Sequence, residues 1–305
     1  MPEQQPPERT PRGRQARGGS RGGPRDDQRG DRRGNRGSRG GPDEDRSLGA
    51  PTGARVPVGL DRARAKAGAL PRQSRSAAAP PRPVLPEDET PQLPKAVQRE
   101  IERVIGRNRR GDDIALALSV GAAAIDEERL DVALPTLAWA KHEAPRIAAV
   151  REAYGVALYL DEQYAPALSE LQAYKRISGR VDQNHLIADC LRALGREVDR
   201  VVDAAAELLE DQRAPEDRRA EAAIVWASTL ADAGDVGAGR AVLRGYLARV
   251  GAGQAEHVLR VRYVAGDLAV RDGDPDAARE QFGLVGGADP DYLDVAERLE
   301  DLARG

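Results

Sequence analysis

Two consecutive stretches decide how this chain folds: residues 112–145, DDIALALSVGAAAIDEERLDVALPTLAWAKHEAP, and residues 146–179, RIAAVREAYGVALYLDEQYAPALSELQAYKRISG. Laid one over the other, Gly121 falls on Gly155, Leu130 on Tyr164, Ala133 on Ala167 and Leu137 on Leu171, each pair 34 residues apart. In both stretches a small residue sits in a first helix. About nine residues later an apolar residue opens a second helix, which carries a small residue and then a large one. Two helices can approach closely only where one presents small residues, and the large apolar side chain then fills the space beside them. A period of this length marks stacked helix–turn–helix units, each unable to bury its apolar face alone.

Working outward, the same order of sizes continues in weaker form. Ala188, Leu191 and the Leu194-Gly195-Arg196 turn form the first half of a third unit; one inserted residue precedes Val198, and Val201 and Ala205 take the second-helix positions. A fourth unit reads Trp226-Ala227, Leu230, Gly234, Val236, Gly239 and Leu243, and a fifth Gly266, Gly273, Pro275, Ala278, Phe282 and Pro290. Pro145 closes the first unit and Gly179 the second. The spacing widens to 39 residues between Ala227 and Gly266, which predicts longer late helices or loops. Upstream, Leu93, Val97, Ile101, Val104 and Ile105 predict a helix ending near Gly111, with the Asp112-Asp113 pair at the next helix start. Tyr292 to Ala303 predicts a polar helix covering the last unit, as stacked repeats require. No β-like alternation of useful length is present, so the fold class is all-α.

These residues resemble the tetratricopeptide repeat family, in the form of a diverged bacterial array. The resemblance covers residues 112–290 and implies an α-solenoid of about five units whose first helices line a concave, partner-binding surface. On that geometry the inner side chains are Glu152, Val156 and Tyr159, then His185, Asp189 and Arg192, then Glu221, Ser228 and Asp232, and finally Arg260, Tyr263, Asp267 and Arg271. The two tyrosines are anchors of the kind that dominate binding surfaces. Members that capture acidic chaperone tails use a Lys and Asn clamp. No Lys stands at those places here, which argues against that partner class.

Residues 1–92 differ from the rest. They carry 19 Arg and Lys against 12 Asp and Glu and no aromatic residue, so the net charge of −3 hides a basic segment joined to an acidic body over 93–305. Without aromatics and with few branched aliphatics such a segment cannot offset its ordering entropy, which predicts a disordered arm. A short helix over 61–70, stopped by Pro71, is the one local exception. Three RGG triplets begin at Arg17, Arg21 and Arg39. Arginine forks onto phosphate and stacks on bases, so RNA binding is one reading of the arm. A solubilising tail is the other, since interleaved aromatics are absent and Asp26, Asp27 and Asp31 dilute the charge.

Catalytic chemistry is hard to assemble from this sequence. His142, His185 and His257 fall in separate units, and none has a partner at metal-ligand spacing. Cys190 is the only cysteine and reads as packing; it excludes an intrachain disulfide. No phosphate-binding glycine loop or nucleophile elbow is present. The expectation is a non-catalytic scaffold for a peptide or protein partner, with no cofactor and no metal. The longest apolar stretch, Ile114 to Ile125, is too short to span a bilayer, and the first residues lack a signal-like apolar core. Those features predict a cytoplasmic protein that does not engage membranes.

Overall fold

A computed structural model of the chain describes residues 78–86 and 89–304. Among them are twelve α-helices and no strand. Helix α1 (Lys95–Val104) leads into five helix pairs: α2 (Arg109–Asp126) with α3 (Leu130–Glu143), α4 (Ala148–Leu160) with α5 (Tyr164–Ser178), α6 (Asn184–Ala193) with α7 (Val198–Glu210), α8 (Glu216–Asp232) with α9 (Val236–Val250), and α10 (Glu256–Arg271) with α11 (Pro275–Ala288). Helix α12 (Val295–Arg304) closes the array.

Each pair packs on itself, each second helix packs on the next first helix, and the first helices α2, α4, α6, α8 and α10 also touch one another in sequence. The first helices therefore form a continuous row. The small-against-large pairing is visible atom by atom. A Cβ added at Gly121 would lie 2.5 Å from the Leu137 side chain, one at Gly155 2.8 Å from Leu171, and one at Gly266 2.8 Å from the Phe282 ring. In the fourth unit Gly239 of α9 is the close-approach residue: a Cβ there would meet the Ala227 carbonyl oxygen at 2.5 Å. The third unit exchanges the sizes. Val201 occupies the small position and Ala205 the large one, and both are buried.

Every first helix ends the same way. Seven residues past the small position the backbone turns left-handed, at Glu128, Glu162, Gly195, Gly234 and Gly273. The next residue's N–H reaches back to a carbonyl five residues earlier, from Arg129 to Ala124, Gln163 to Leu158, Arg196 to Leu191, Asp235 to Leu230 and Asp274 to Ala269, at 2.7–3.0 Å. This double-bonded stop satisfies the orphan carbonyls of the helix end. Because the internal offsets are constant, the wider late spacing lies elsewhere. Helices α8 and α10 begin about three turns ahead of their small residue, whereas α4 and α6 begin one or two turns ahead.

Two sequence expectations shift at the N-terminal side. Helix α1 stops at Ile105 and Gly106 rather than near Gly111, which lies in the first turn of α2 with Asp112. The cap of α2 is Asn108, whose side-chain oxygen accepts from the Gly111 N–H at 3.1 Å. The carboxylate of Glu100 accepts from the Ala148 N–H at 2.7 Å, so α1 also caps α4. Upstream of α1, residues grouped by composition with the arm lie on the body. Arg82 pairs with Asp113 at 2.9 Å, the Gln92 N–H donates to Ser119 Oγ at 2.8 Å, and Leu85 packs on the core. The RGG arginines Arg17, Arg21 and Arg39, and the helix expected over 61–70, fall outside the described residues. At the far end α12 starts at Val295, three residues later than the pattern implies, and buries Val295 against the last unit.

Candidate functional site: the row of first helices

The row of first helices carries the side chains that the resemblance points toward a partner, and the structure places them in two groups. Glu152, Val156, Tyr159, His185, Asp189 and Arg260 are buried. Arg192, Glu221, Ser228, Tyr263 and Asp267 are half-buried, and Asp232 and Arg271 are exposed. The buried group corrects the expectation of a fully exposed row: its polar atoms are engaged between neighbouring units.

The links run from unit to unit. The Tyr159 hydroxyl on α4 donates to Asp189 on α6 at 2.8 Å, and Gln183, just ahead of α6, donates to Glu152 on α4 at 2.6 Å. Arg192 holds Asp189 on its own helix at 2.7 Å and reaches Asp232 on α8 at 3.7 Å. Asp232 is also met by Arg271 of α10 at 3.4 Å, and Glu221 of α8 by Arg260 of α10 at 2.7 Å. Asp267 of α10 pairs with Arg298 of α12 at 3.4 Å, and the Tyr263 hydroxyl donates to Asp294. The seams between first helices are thus stitched by charge and hydrogen bonds as well as apolar contact.

Asp182, which sequence reasoning missed, is the deepest of these junctions. Buried in the turn before α6, it accepts from the Tyr174 hydroxyl at 2.8 Å, from Arg180 at 2.8 Å and from Arg218 of α8 at 3.0 Å. Arg218 lies in the extra N-terminal turns of α8, so the lengthened helix is what brings the two together. A buried carboxylate is tolerable only with such company. A usable signal was present in the sequence: Arg192 and Asp232, Glu221 and Arg260, and Asp232 and Arg271 are opposite charges separated by about one repeat.

The reactive-looking groups are held inert. Burial, then the nearby Arg218 charge, pushes the His185 imidazole down to about 3, so its ring is neutral at ordinary pH. Burial pushes the Cys190 thiol well up, away from the thiolate form a nucleophile needs. Burial, followed by the Asp189 carboxylate, raises the Tyr159 phenol well above its ordinary value and keeps it the donor of its bond. His142 is exposed in the last turn of α3, and His257 is half-buried at the start of α10. Among the described residues no group of three or more His, Cys, Asp or Glu could hold a metal ion. Nor is any helix among them long and apolar enough to cross a membrane.

The accessible part of the row belongs to the late units. Tyr263, Asp267 and Arg271 fall at four-residue steps on α10, and Ser228 and Asp232 do so on α8, so each set is one stripe of its helix. The Asp232–Arg271 pair joins the two stripes side by side.

No protein-family model matches the sequence, and no curated protein does. Among solved structures the chain is similar to TTC0263, a thermophilic TPR (tetratricopeptide repeat) protein in Thermus thermophilus. The two are 18% identical with a TM-score of 0.48, over 62% of this chain and 98% of that one. It is also similar to YrrB, a TPR protein with an unusual peptide-binding site, at 15% identity and a TM-score of 0.45, over 65% of this chain and 96% of that one. The repeated offsets, the shared helix stop and the continuous row of first helices stand on this chain's own geometry. The chain is an α-helical repeat protein whose units resemble the tetratricopeptide repeat.

Proposed function

We propose that the chain is a non-catalytic interaction scaffold that binds a peptide or protein partner along its first helices, chiefly at the fourth and fifth units. The observation that carries this reading is the joined pair of stripes on α8 and α10, where Ser228, Asp232, Tyr263, Asp267 and Arg271 stay at least partly exposed while Glu152, Tyr159, His185 and Asp189 upstream are buried. The surface mixes an aromatic ring with both charge signs, the make-up of a protein-binding patch. The inert His185 and Cys190 support a role without catalysis.

Affinity capture with the full chain identifies the partner, and two bulky substitutions then locate it. Ser228→Arg fills the inner stripe, and Ala248→Arg places the same bulk on the exposed face of α9. Partner affinity falls about tenfold or more for Ser228→Arg, the effect of losing about 1.4 kcal/mol, and stays unchanged for Ala248→Arg. Equal loss in both, or in neither, rules the surface out.

A second reading rests on the three RGG triplets, which give residues 1–77 a chemistry suited to RNA. In filter binding with a single-stranded RNA, full-length protein would then show an affinity that falls steeply with salt. Absence of retention at low salt ends that reading without touching the first.

A further inference from the structure

We propose that this chain associates with itself head to tail: the loop 289–294, led by Leu293, enters a cleft between α5 and α7 of a second copy. Neither Leu293 nor the cleft belongs to the partner surface proposed above, so the inference stands without that reading.

The loop is the first half of the contact. Tyr292 and Val295 are buried in the last core, but Leu293 between them is 59% exposed, more than any other large apolar side chain from α1 onward. Its backbone is left-handed, with φ 49°. That conformation presses a side chain against the following carbonyl oxygen, whereas glycine adopts it freely. Leucine here therefore contributes little to its own core and opposes its own backbone. An apolar side chain held at such a cost and turned to solvent is suited to a contact outside the molecule. Its surroundings are acidic. Asp294 is matched by Arg298, which Asp267 also engages. Asp289, Asp291 and Glu297 make no ion pair among the described residues, so the loop keeps a negative charge.

The cleft is the second half. Its volume is about 340 Å³, within the range of ligand sites. Ile187 and Leu191 of α6 and Ala204 of α7 form the floor, and Arg176 of α5 and Arg200 of α7 stand exposed on the rim. Lys175 and Glu207 pair across the cleft and neutralise each other. Arg176, Arg200 and Asp203 make no ion pair among the described residues, which leaves a small positive excess. Floor and rim match the loop in kind. The apolar floor suits Leu293, and the two arginines suit the carboxylates around it.

Helices α8 to α11 separate the cleft from the loop, so a molecule cannot fill its own. A second copy can, and its own cleft stays open for a third. Such a heterologous contact extends into a chain rather than stopping at a pair. One leucine and a few charges make a small interface, so the association is weak and is weakened further by salt.

Sedimentation velocity of the full chain from about 1 μM to about 1 mM spans the affinities of a contact this size. The weight-average mass should rise with concentration and pass that of a dimer. Leu293→Gly should weaken association about tenfold or more, while its melting temperature in dilute solution holds or rises. Arg176→Glu combined with Arg200→Glu should give the same loss from the other surface; both side chains are exposed, so the fold survives. Mixed together, the two variants should form one-to-one pairs and nothing longer, because the intact loop of one meets the intact cleft of the other.

A chain that stays monomeric at the highest concentration overturns the proposal. So does a fall in melting temperature with Leu293→Gly, which would make the leucine part of its own fold, or a mixture of the variants that stays monomeric. Association that survives Leu293→Gly also overturns it, and is what attraction between the basic residues 1–92 and the acidic body would give.

Discussion

The two ends of the array are held together differently. From α1 to α7 a single apolar core runs without a break, reaching Ala222 and Val225 on α8. From α8 onward it divides. One small core lies between α8 and α10 around Leu243, Tyr246 and Val261, and another between α10 and α12 around Phe282, Val285 and Tyr292. The downstream units compensate with half-exposed ionic links: Arg240 to Asp272 and Asp274, Asp232 to Arg271, and Asp267 to Arg298. In a stacked repeat each unit contributes its own stability plus a term for each interface. The upstream interfaces share one apolar core with buried polar links such as the Asp182 junction set into it, and the downstream ones rest on two smaller cores and more exposed pairs. The accessible stripe proposed for the partner lies in the second region.

The largest test removes the upstream junction. Asp182→Ala deprives the buried Arg218 of the carboxylate it faces and strands the Tyr174 hydroxyl, at a cost of about 3–5 kcal/mol. Denaturant unfolding followed by circular dichroism should show that loss, and a change under about 1 kcal/mol would mean the junction is incidental. Next comes Gly266→Ala, whose Cβ must push the Phe282 ring aside, for about 1–3 kcal/mol. Hydrogen exchange should quicken in α10 to α12 and stay unchanged in α4 to α6. Acceleration spread evenly along the chain would show that the two regions unfold as one.

A smaller effect contrasts the turns. Glu128 and Glu162 hold the left-handed position that glycine fills in the three later units. A side chain there costs about 1–2 kcal/mol, of which the greater freedom of unfolded glycine returns part. Glu128→Gly should therefore stabilise by about 0.5 kcal/mol, and Gly234→Ala should destabilise by about 1 kcal/mol; thermal melts read both. The smallest effect is pH. The Arg240 guanidinium first, then the Ala277 N–H, holds Asp274 below its ordinary carboxylate value, and the Tyr263 hydroxyl does the same for Asp294. Stability from a depressed carboxylate is complete above the unfolded value, about 4, and is lost as pH falls through the lower folded value. Between pH about 4 and pH about 2, exchange in α10 to α12 should accelerate before that in α4 to α6. Simultaneous acceleration would remove the distinction.

The repeat was legible because packing forces it into the sequence. Gly121 and Leu137 must alternate in size wherever two helices cross, and the same constraint writes Gly155 with Leu171 and Gly266 with Phe282. The third unit was harder to read since Val201 and Ala205 trade sizes while preserving the fit. The site was only half legible. Glu152, Asp189 and Arg260 occupy positions that face inward in the helix pattern, but a polar side chain there can meet a partner or the next helix with equal ease. Which of these it meets depends on how far the neighbouring helix extends: Asp182 finds Arg218 only because α8 begins early, a boundary set by length rather than by residue type. Opposite charges one repeat apart were the available clue.

Glu100 leaves α1 to hold the first turn of α4, so α1 clasps two units at once. A fragment begun at Arg109, where the repeats themselves start, would keep every helix pair intact. It would also uncap α4 and uncover the α2 face on which Val97 and Ile101 rest. Trimming by a protease in that linker should therefore leave a shortened product prone to precipitation, and useful expression boundaries lie upstream of Arg82.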